Sequence, residues 1–201
     1  MKIGITGGIG SGKSTVCKIF ATLGIPIYYS DDRAKWLMEH NLELVAGIKA
    51  LFGDEAYLND GALNRPLIAA AAFNDVNKLS QLNALVHPQV FADGHVWQNE
   101  HSQYPYTLRE AALIFESGIF RQLDKVITVY APIELRLQRV IERDGATEEA
   151  VKARMARQLS DEEKVRQSHY VIVNDGQQAL IPQVMKIHWE LLGLKEATAT
   201  E

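Results

Sequence analysis

Cysteine is nearly absent: Cys17 is the single one in 201 residues. An intrachain disulfide framework is therefore excluded, as is any metal site built from a cysteine cluster. Cys17 falls on the apolar side of a helical pattern and reads as a small core residue rather than a reactive thiol. Long apolar runs are also missing. Hydrophobic residues make up 47% of the chain, enough for a substantial core, yet none of the runs reaches the roughly 18 residues of a membrane span. Charge of one sign is scarce as well. A formal net charge of −4 does not advertise a polyanion such as nucleic acid as a partner. The glycine-rich start has no apolar signal-peptide core, and the chain carries no internal repeat, no low-complexity segment and no N-K-x-D guanine-specificity motif. These absences lead to the expectation of a soluble, cytoplasmic protein, monomeric or weakly homo-oligomeric, with neither membrane nor nucleic acid as partner. The length suits one α/β domain, or a core with an inserted helical subdomain.

What is present is concentrated near the N-terminus. Gly7-Gly8-Ile9-Gly10-Ser11-Gly12-Lys13-Ser14-Thr15 fits G-x-x-x-x-G-K-[ST], the phosphate-binding P-loop. Lys2 to Thr6 reads as a short buried strand before it. After it, Val16, Ile19, Phe20 and Leu23 recur at helical spacing. Glycines let the backbone approach a polyphosphate without Cβ clashes. Backbone N–H groups and the helix N-terminus then face the anion. Gly8, Gly10, Ser11, Gly12, Lys13, Ser14 and Thr15 are thus the candidate nucleotide-binding residues. Lys13 supplies a mobile positive charge, Ser14 a hydroxyl for Mg²⁺, and Thr15 supports the same turn. The motif implies a nucleoside triphosphate and Mg²⁺, without saying what becomes of the phosphate.

Ile25 to Ser30 reads as a second strand ending on Asp31-Asp32. Ligands of open α/β sheets sit at the carboxyl ends of strands, so a carboxylate here could accept a proton from an acceptor hydroxyl or hold Mg²⁺ through water. The alternative is that one of the two acids caps the helix 33–39, and both roles can be filled, one residue each. Residues 42–104 break the strand–helix alternation. Helices are expected at 42–52, at 67–73, near 76–86 with an end at His87-Pro88, and from Gln89 to about His101. This block has the size of an acceptor-binding insertion, with Arg65 and His87 as candidate contacts. Residues 106–115 read as the next strand, ending on a second acid, Glu116. Lys125 to Ala131 is a strand, and Pro132 suits a helix start. Arg136, Arg139 and Arg143 then share one helix face, followed by a turn at 144–149 and by Lys152, Arg154, Arg157 and Gln158. A cationic helix pair of this kind could close over a transferring phosphoryl group and exclude water. Tyr170 to Asn174 is the last strand, Asn174 can border the adenine ring, and a final helix is expected over 178–194.

The ordered set T-G-G-I-G-S-G-K-S-T (6–15), Asp31 with Ala34-Lys35, Leu63-Asn64-Arg65, Leu82 to Pro88, Ala112 to Glu116, the arginine helix 136–143 and Val171 to Gly176 resembles the dephospho-CoA kinases over essentially the whole chain. The departures are local. Tyr29 stands where the family's D-A-D begins, Lys35 where it has arginine, and Ala112 where it often has proline. The resemblance implies a P-loop nucleoside triphosphate hydrolase-like α/β/α fold of three layers, with a central parallel five-stranded sheet, a helical acceptor-binding insertion and a helical lid. It implies one kinase domain over 1–194: a core of 1–41, 105–131 and 168–194, an acceptor subdomain 42–104, a lid 132–167 and a frayed tail 195–201. It further implies transfer of the γ-phosphoryl of ATP to the ribose 3′-hydroxyl of dephospho-CoA. Asp31 would be the base, Lys13, Arg139 and Arg143 the catalytic cations, Asn174 a nucleotide contact, Ser14 the Mg²⁺ ligand, and Asp31, Arg65, His87 and Glu116 the acceptor contacts. The competing expectations are another small-acceptor P-loop kinase and a nucleotide-dependent switch.

Overall fold

The structure, a computed structural model, describes residues 1–193. Leu194, expected to end the last helix, and the tail 195–201 lie outside the described residues. The elements run β1 (Lys2–Thr6), α1 (Lys13–Thr22), β2 (Ile27–Tyr29), α2 (Ser30–His40), α3 (Leu42–Phe52), α4 (Arg65–Asn74), α5 (Val76–Glu100), β3 (Thr107–Glu110), β4 (Lys125–Tyr130), α6 (Ile133–Asp144), α7 (Glu148–Met155), α8 (Asp161–Gln167), β5 (Tyr170–Val173) and α9 (Leu180–Leu191). The chain divides into two compact units. One comprises Met1–Tyr28 and the residues from His101 onward; the other is Tyr29–Glu100.

The first unit is built on a five-stranded parallel sheet of order β2-β3-β1-β4-β5. β1 is central, pairing in parallel with β3 on one side and β4 on the other. Its Ile3 and Ile5 are fully buried, as are Ile127 and Val129 of β4 and Ile172 of β5, the apolar signature of strands covered on both faces. α1 packs on β1 and β3, α9 on β5 and α1, and α8 on β4. The helix starts follow from polar caps: the side chains of Thr147 and Ser160 accept from Ala150 N–H and Glu163 N–H at the starts of α7 and α8.

β3 stops at Glu110, not at residue 115 as expected from the apolar run. The cause is its partner. β1 leaves the sheet for the glycine loop after Thr6, and the last backbone bond along this edge is Ala111 N–H to the Ile5 carbonyl at 3.2 Å. Ala111, just past the strand, and Ile114 and Phe115, in the turns that follow, are buried in a cluster with Val126, Phe120, Leu123 and Leu159. The run predicted burial for Ala111, Ile114 and Phe115 correctly, but Leu113 is exposed, and the strand is absent beyond Glu110.

The second unit is helical. α5 is its spine, with α2, α3 and α4 all packed on it. The expected break at His87-Pro88 is absent: α5 runs unbroken from Val76 to Glu100 with Pro88 inside. Proline forfeits one helix hydrogen bond and crowds the carbonyl four residues earlier. Burial of Val86 and Val90 on either side, and the Asn41 to Gln89 side-chain bond of 3.2 Å, keep the helix in place across that defect. α2 also starts earlier than expected, at Ser30 with Tyr29 as the capping position. Asp31 and Asp32 therefore lie in its first turn, where the helix dipole favours carboxylates, and neither caps it.

Candidate active site

The glycine loop joins β1 to α1, and its shape is set by where its carbonyls point. Gly7 C=O accepts from Lys13 Nζ at 2.9 Å. Gly8 C=O accepts from Ser11 N–H at 3.0 Å. Ile9 C=O accepts from Arg136 Nε at 3.1 Å, and Gly10 C=O from Arg139 Nη1 at 3.5 Å. Ser11 C=O accepts from Asn174 Nδ2 at 2.7 Å. Gly12 C=O accepts from Thr15 and Val16 N–H at 3.0 and 3.2 Å. Each carbonyl from Gly7 to Gly12 thus faces a donor. A trans peptide points its N–H opposite its C=O, so a carbonyl turned toward a side chain aims the next N–H the other way. N–H groups that converge on one place make an anion cradle; of those in the loop, the Ile9 and Ser11 N–H groups are committed to Gln158 and to the Gly8 carbonyl, and α1 adds its positive end.

Gly12 is required at the start of α1. Its φ is +91°, and a Cβ there would lie 2.1 Å from Asn174 Nδ2. Asn174 is a hub in its own right. It follows β5, its N–H bonds the Tyr130 carbonyl at 2.8 Å, and its backbone and side-chain oxygens both accept from Arg139. Lys13 is half-buried within the loop, while Ser14 and Thr15 are exposed on the first turn of α1.

The arginine helix is α6, and its three arginines have different settings. Arg136 is 4% exposed and is ion-paired with Asp161 of α8. Arg139 is half-buried against the loop and Asn174. Arg143 is exposed and engages Asp144, which Arg154 also binds at 3.0 Å. Hydrogen bonds from both guanidinium groups hold the Asp144 carboxyl down at about 2. Burial pushes the Asp161 carboxyl above its usual range, against the pull of Arg136 and Lys164. Glu116 lies beyond β3, its Oε1 accepting from Leu159 N–H at 2.8 Å and facing the fully buried Lys164 Nζ at 3.2 Å. The acid that does end β3 is Glu110, 7% exposed. The sequence reading passed over it, and the five-residue length of β1 was the signal that could have found it. Gln158 follows the basic residues in sequence with no motif of its own; its Oε1 accepts from Ile9 N–H at 2.9 Å.

In the helical unit, Asp31 is exposed in the first turn of α2, and Asp32 pairs with Lys35 at 2.8 Å. Arg65 begins α4 and reaches Glu39 at 3.5 Å. His87 sits within α5, where desolvation holds its imidazole below the ordinary value. Among the described residues no group of three or more His, Cys, Asp or Glu side chains could cage a metal ion.

A glycine loop between a central parallel strand and a helix, its carbonyls turned to donors and its lysine in place, defines a P-loop phosphotransferase fold. The dephospho-CoA kinase family model matches residues 1–179. A dephospho-CoA kinase of Porphyromonas gingivalis is 40% identical over 186 residues, covering 92% of this chain and 91% of its own. One from Bacteroides fragilis is 37% identical over 187 residues, covering 93% and 91%. A solved dephospho-CoA kinase from Campylobacter jejuni has a TM-score of 0.72 at 28% identity, over 96% of this chain and 99% of that one. The chain belongs to the dephospho-CoA kinase family.

Proposed function

We propose that this chain transfers the γ-phosphoryl group of ATP to the ribose 3′-hydroxyl of dephospho-CoA, releasing ADP and coenzyme A, the last step of coenzyme A synthesis. The observation that carries the reading is the set of carbonyls from Gly7 to Gly12, each held by a donor, those of Ile9, Gly10 and Ser11 by side chains outside the motif, a loop shaped for a polyphosphate in a chain of this family. Positioning and charge stabilisation do most of the work in phosphoryl transfer.

In this reading the nucleotide is held by Gly8, Gly10, Ser11, Gly12, Lys13, Ser14 and Thr15, with Asn174 beside the base. Lys13 neutralises charge on the β- and γ-phosphates. Arg139, placed at the loop, and Arg143, on release from Asp144, stabilise charge on the transferring group. Asp31, exposed in the first turn of α2, accepts or orients the acceptor's hydroxyl proton. Arg65, His87 and Glu116 serve the acceptor. Mg²⁺ fits the donor set, since it is held mainly by phosphate oxygens and water and asks only one or two protein ligands. Ser14, exposed on the turn after Lys13, would be one, and the ion would neutralise developing charge on the β- and γ-oxygens. The protein is further expected to be cytoplasmic, a monomer or weak homo-oligomer, with no nucleic acid or membrane partner. Among the described residues no helix is long and apolar enough to cross a membrane.

The test is ADP release from Mg²⁺-ATP against dephospho-CoA, adenosine, AMP, CMP, pantetheine and shikimate, with the product weighed by mass spectrometry. Turnover with dephospho-CoA alone, yielding coenzyme A and lost in Asp31→Asn while ATP still binds, supports the reading. Preference for another acceptor overturns it.

A further inference from the structure

We propose that Arg136 is the positioning residue of the phosphate-binding loop, with Gln158 as its second grip, so that the loop keeps its anion-binding shape only while α6 and α8 are seated. The proposal rests on the nucleotide site of the functional reading but not on the identity of the acceptor.

The argument begins at Ile9, which is held through both of its backbone groups by side chains remote in sequence. Gln158, 149 positions away, accepts from its N–H; Arg136, 127 positions away, donates to its C=O. Two successive peptides of the loop, Gly8–Ile9 and Ile9–Gly10, are thereby fixed from outside the motif. Arg136 is divided between two duties. Its Nε serves Ile9, and its Nη1 serves Asp161 at the first position of α8. Its guanidinium lies against the loop backbone itself: a Cβ on Gly8 would fall 2.2 Å from Nη1 and 2.4 Å from Cζ. A guanidinium buried this deeply is costly unless its donors are paired. Half of the pairing comes from α8 and half from the loop, so unseating either leaves the other exposed to that cost.

The consequence for phosphate binding is directional. With the Ile9 carbonyl tied to Arg136, the Gly10 N–H points the opposite way. Gly10 has a φ of +80°, and a glycine can populate both halves of the dihedral map at little cost. Without the arginine bond the Ile9–Gly10 peptide is free to rotate, and a rotated peptide presents a carbonyl oxygen to the anion in place of a donor. Arg136 need not touch the nucleotide to govern its affinity. Lysine is no substitute, because one ammonium on a flexible stem lacks the planar fork that serves Ile9 and Asp161 together.

The experiment is calorimetric binding of Mg²⁺-ATP and Mg²⁺-ADP to wild type, Arg136→Lys and Gln158→Ala, with thermal melting and dephospho-CoA binding measured beside them. Arg136→Lys is expected to weaken both nucleotides by about tenfold or more, the scale of a hydrogen bond to a charged group. Gln158→Ala should weaken them about threefold to tenfold on the same arithmetic, with melting and dephospho-CoA affinity close to wild type. A purely structural role would lower melting and spare the nucleotide affinity of the folded protein. Nucleotide affinities of both variants within about twofold of wild type, a difference worth only a few tenths of a kcal/mol, would overturn the proposal. If Arg136→Lys does not fold, Gln158→Ala decides alone on the same readout, since it leaves the Arg136–Asp161 pair intact. Turnover of the wild type with dephospho-CoA tests the acceptor independently, so the two readings fail separately.

Discussion

Arg139 grips Asn174 at two points: Nη1 donates to its backbone carbonyl at 3.2 Å and Nη2 to its side-chain oxygen at 3.4 Å. The pairing leaves the Asn174 amide to face the Ser11 carbonyl, so an arginine of α6 orients a residue after β5 that in turn orients the loop.

Asn174→Asp is therefore expected to be worse than Asn174→Ala. Alanine removes both side-chain hydrogen bonds, of which only the one to Ser11 touches the loop, and should weaken ATP by about threefold to tenfold. Aspartate puts an acceptor where Ser11 needs a donor, leaving two oxygens opposed. ATP titration of both variants checks the order.

Arg143 and Arg154 meet at Asp144, and Asp144→Asn tests what that exposed cluster contributes. The loss in stability should stay below about 1 kcal/mol and shrink further in high salt, as for solvent-screened pairs. The sign with pH follows from a carboxyl held down at about 2. Its contribution is complete above the ordinary value of 3.8 and disappears as pH falls through about 2. Urea melts at low and high salt, and a carboxyl-carbon NMR titration of Asp144, measure the two halves.

Tyr106 Oη and His188 Nδ1 lie 2.6 Å apart, with Tyr106 fully buried. Tyr106→Phe should cost about 1 kcal/mol, with His188 left half-partnered. Burial holds His188 below its ordinary value of 6.5, so the fold prefers the neutral ring. That contribution is complete above pH 6.5 and is lost as the solution is acidified below it. Melts at pH 8 and 5.5 should show a smaller drop in His188→Gln than in wild type.

The Cys17 thiol is pushed up to about 12, first by burial and then by the negative charge of Glu110. The thiolate is the reactive species. Iodoacetamide at pH 8 should leave the native protein unlabelled and label it fully in denaturant. Rapid native labelling would show that α1 does not shield this position.

The glycine loop was legible because its information is local: spacing, glycines and flanks are all within residues 2–23. The strands followed from short apolar runs alternating with helical ones, and their union in one parallel five-stranded sheet was what the family resemblance implied. What was not legible depends on distant partners. The end of β3 is set by the length of β1, and the continuity of α5 through Pro88 is set by the helices packed on it. Gln158 carries no motif, and its role exists only through Ile9. Arg136, Arg139 and Arg143 are equivalent by spacing, yet a buried pair with Asp161, a hold on Asn174 and an exposed pair with Asp144 separate them.

The loop's outer contacts come from residues 127, 129, 149 and 163 positions further along the chain. A nascent polypeptide that has emerged only as far as β4 would hold the whole motif and none of those tethers. The loop's shape is thus a long-range property of the chain, and a chain truncated before Asn174 would carry the motif without the bond that holds the Ser11 carbonyl.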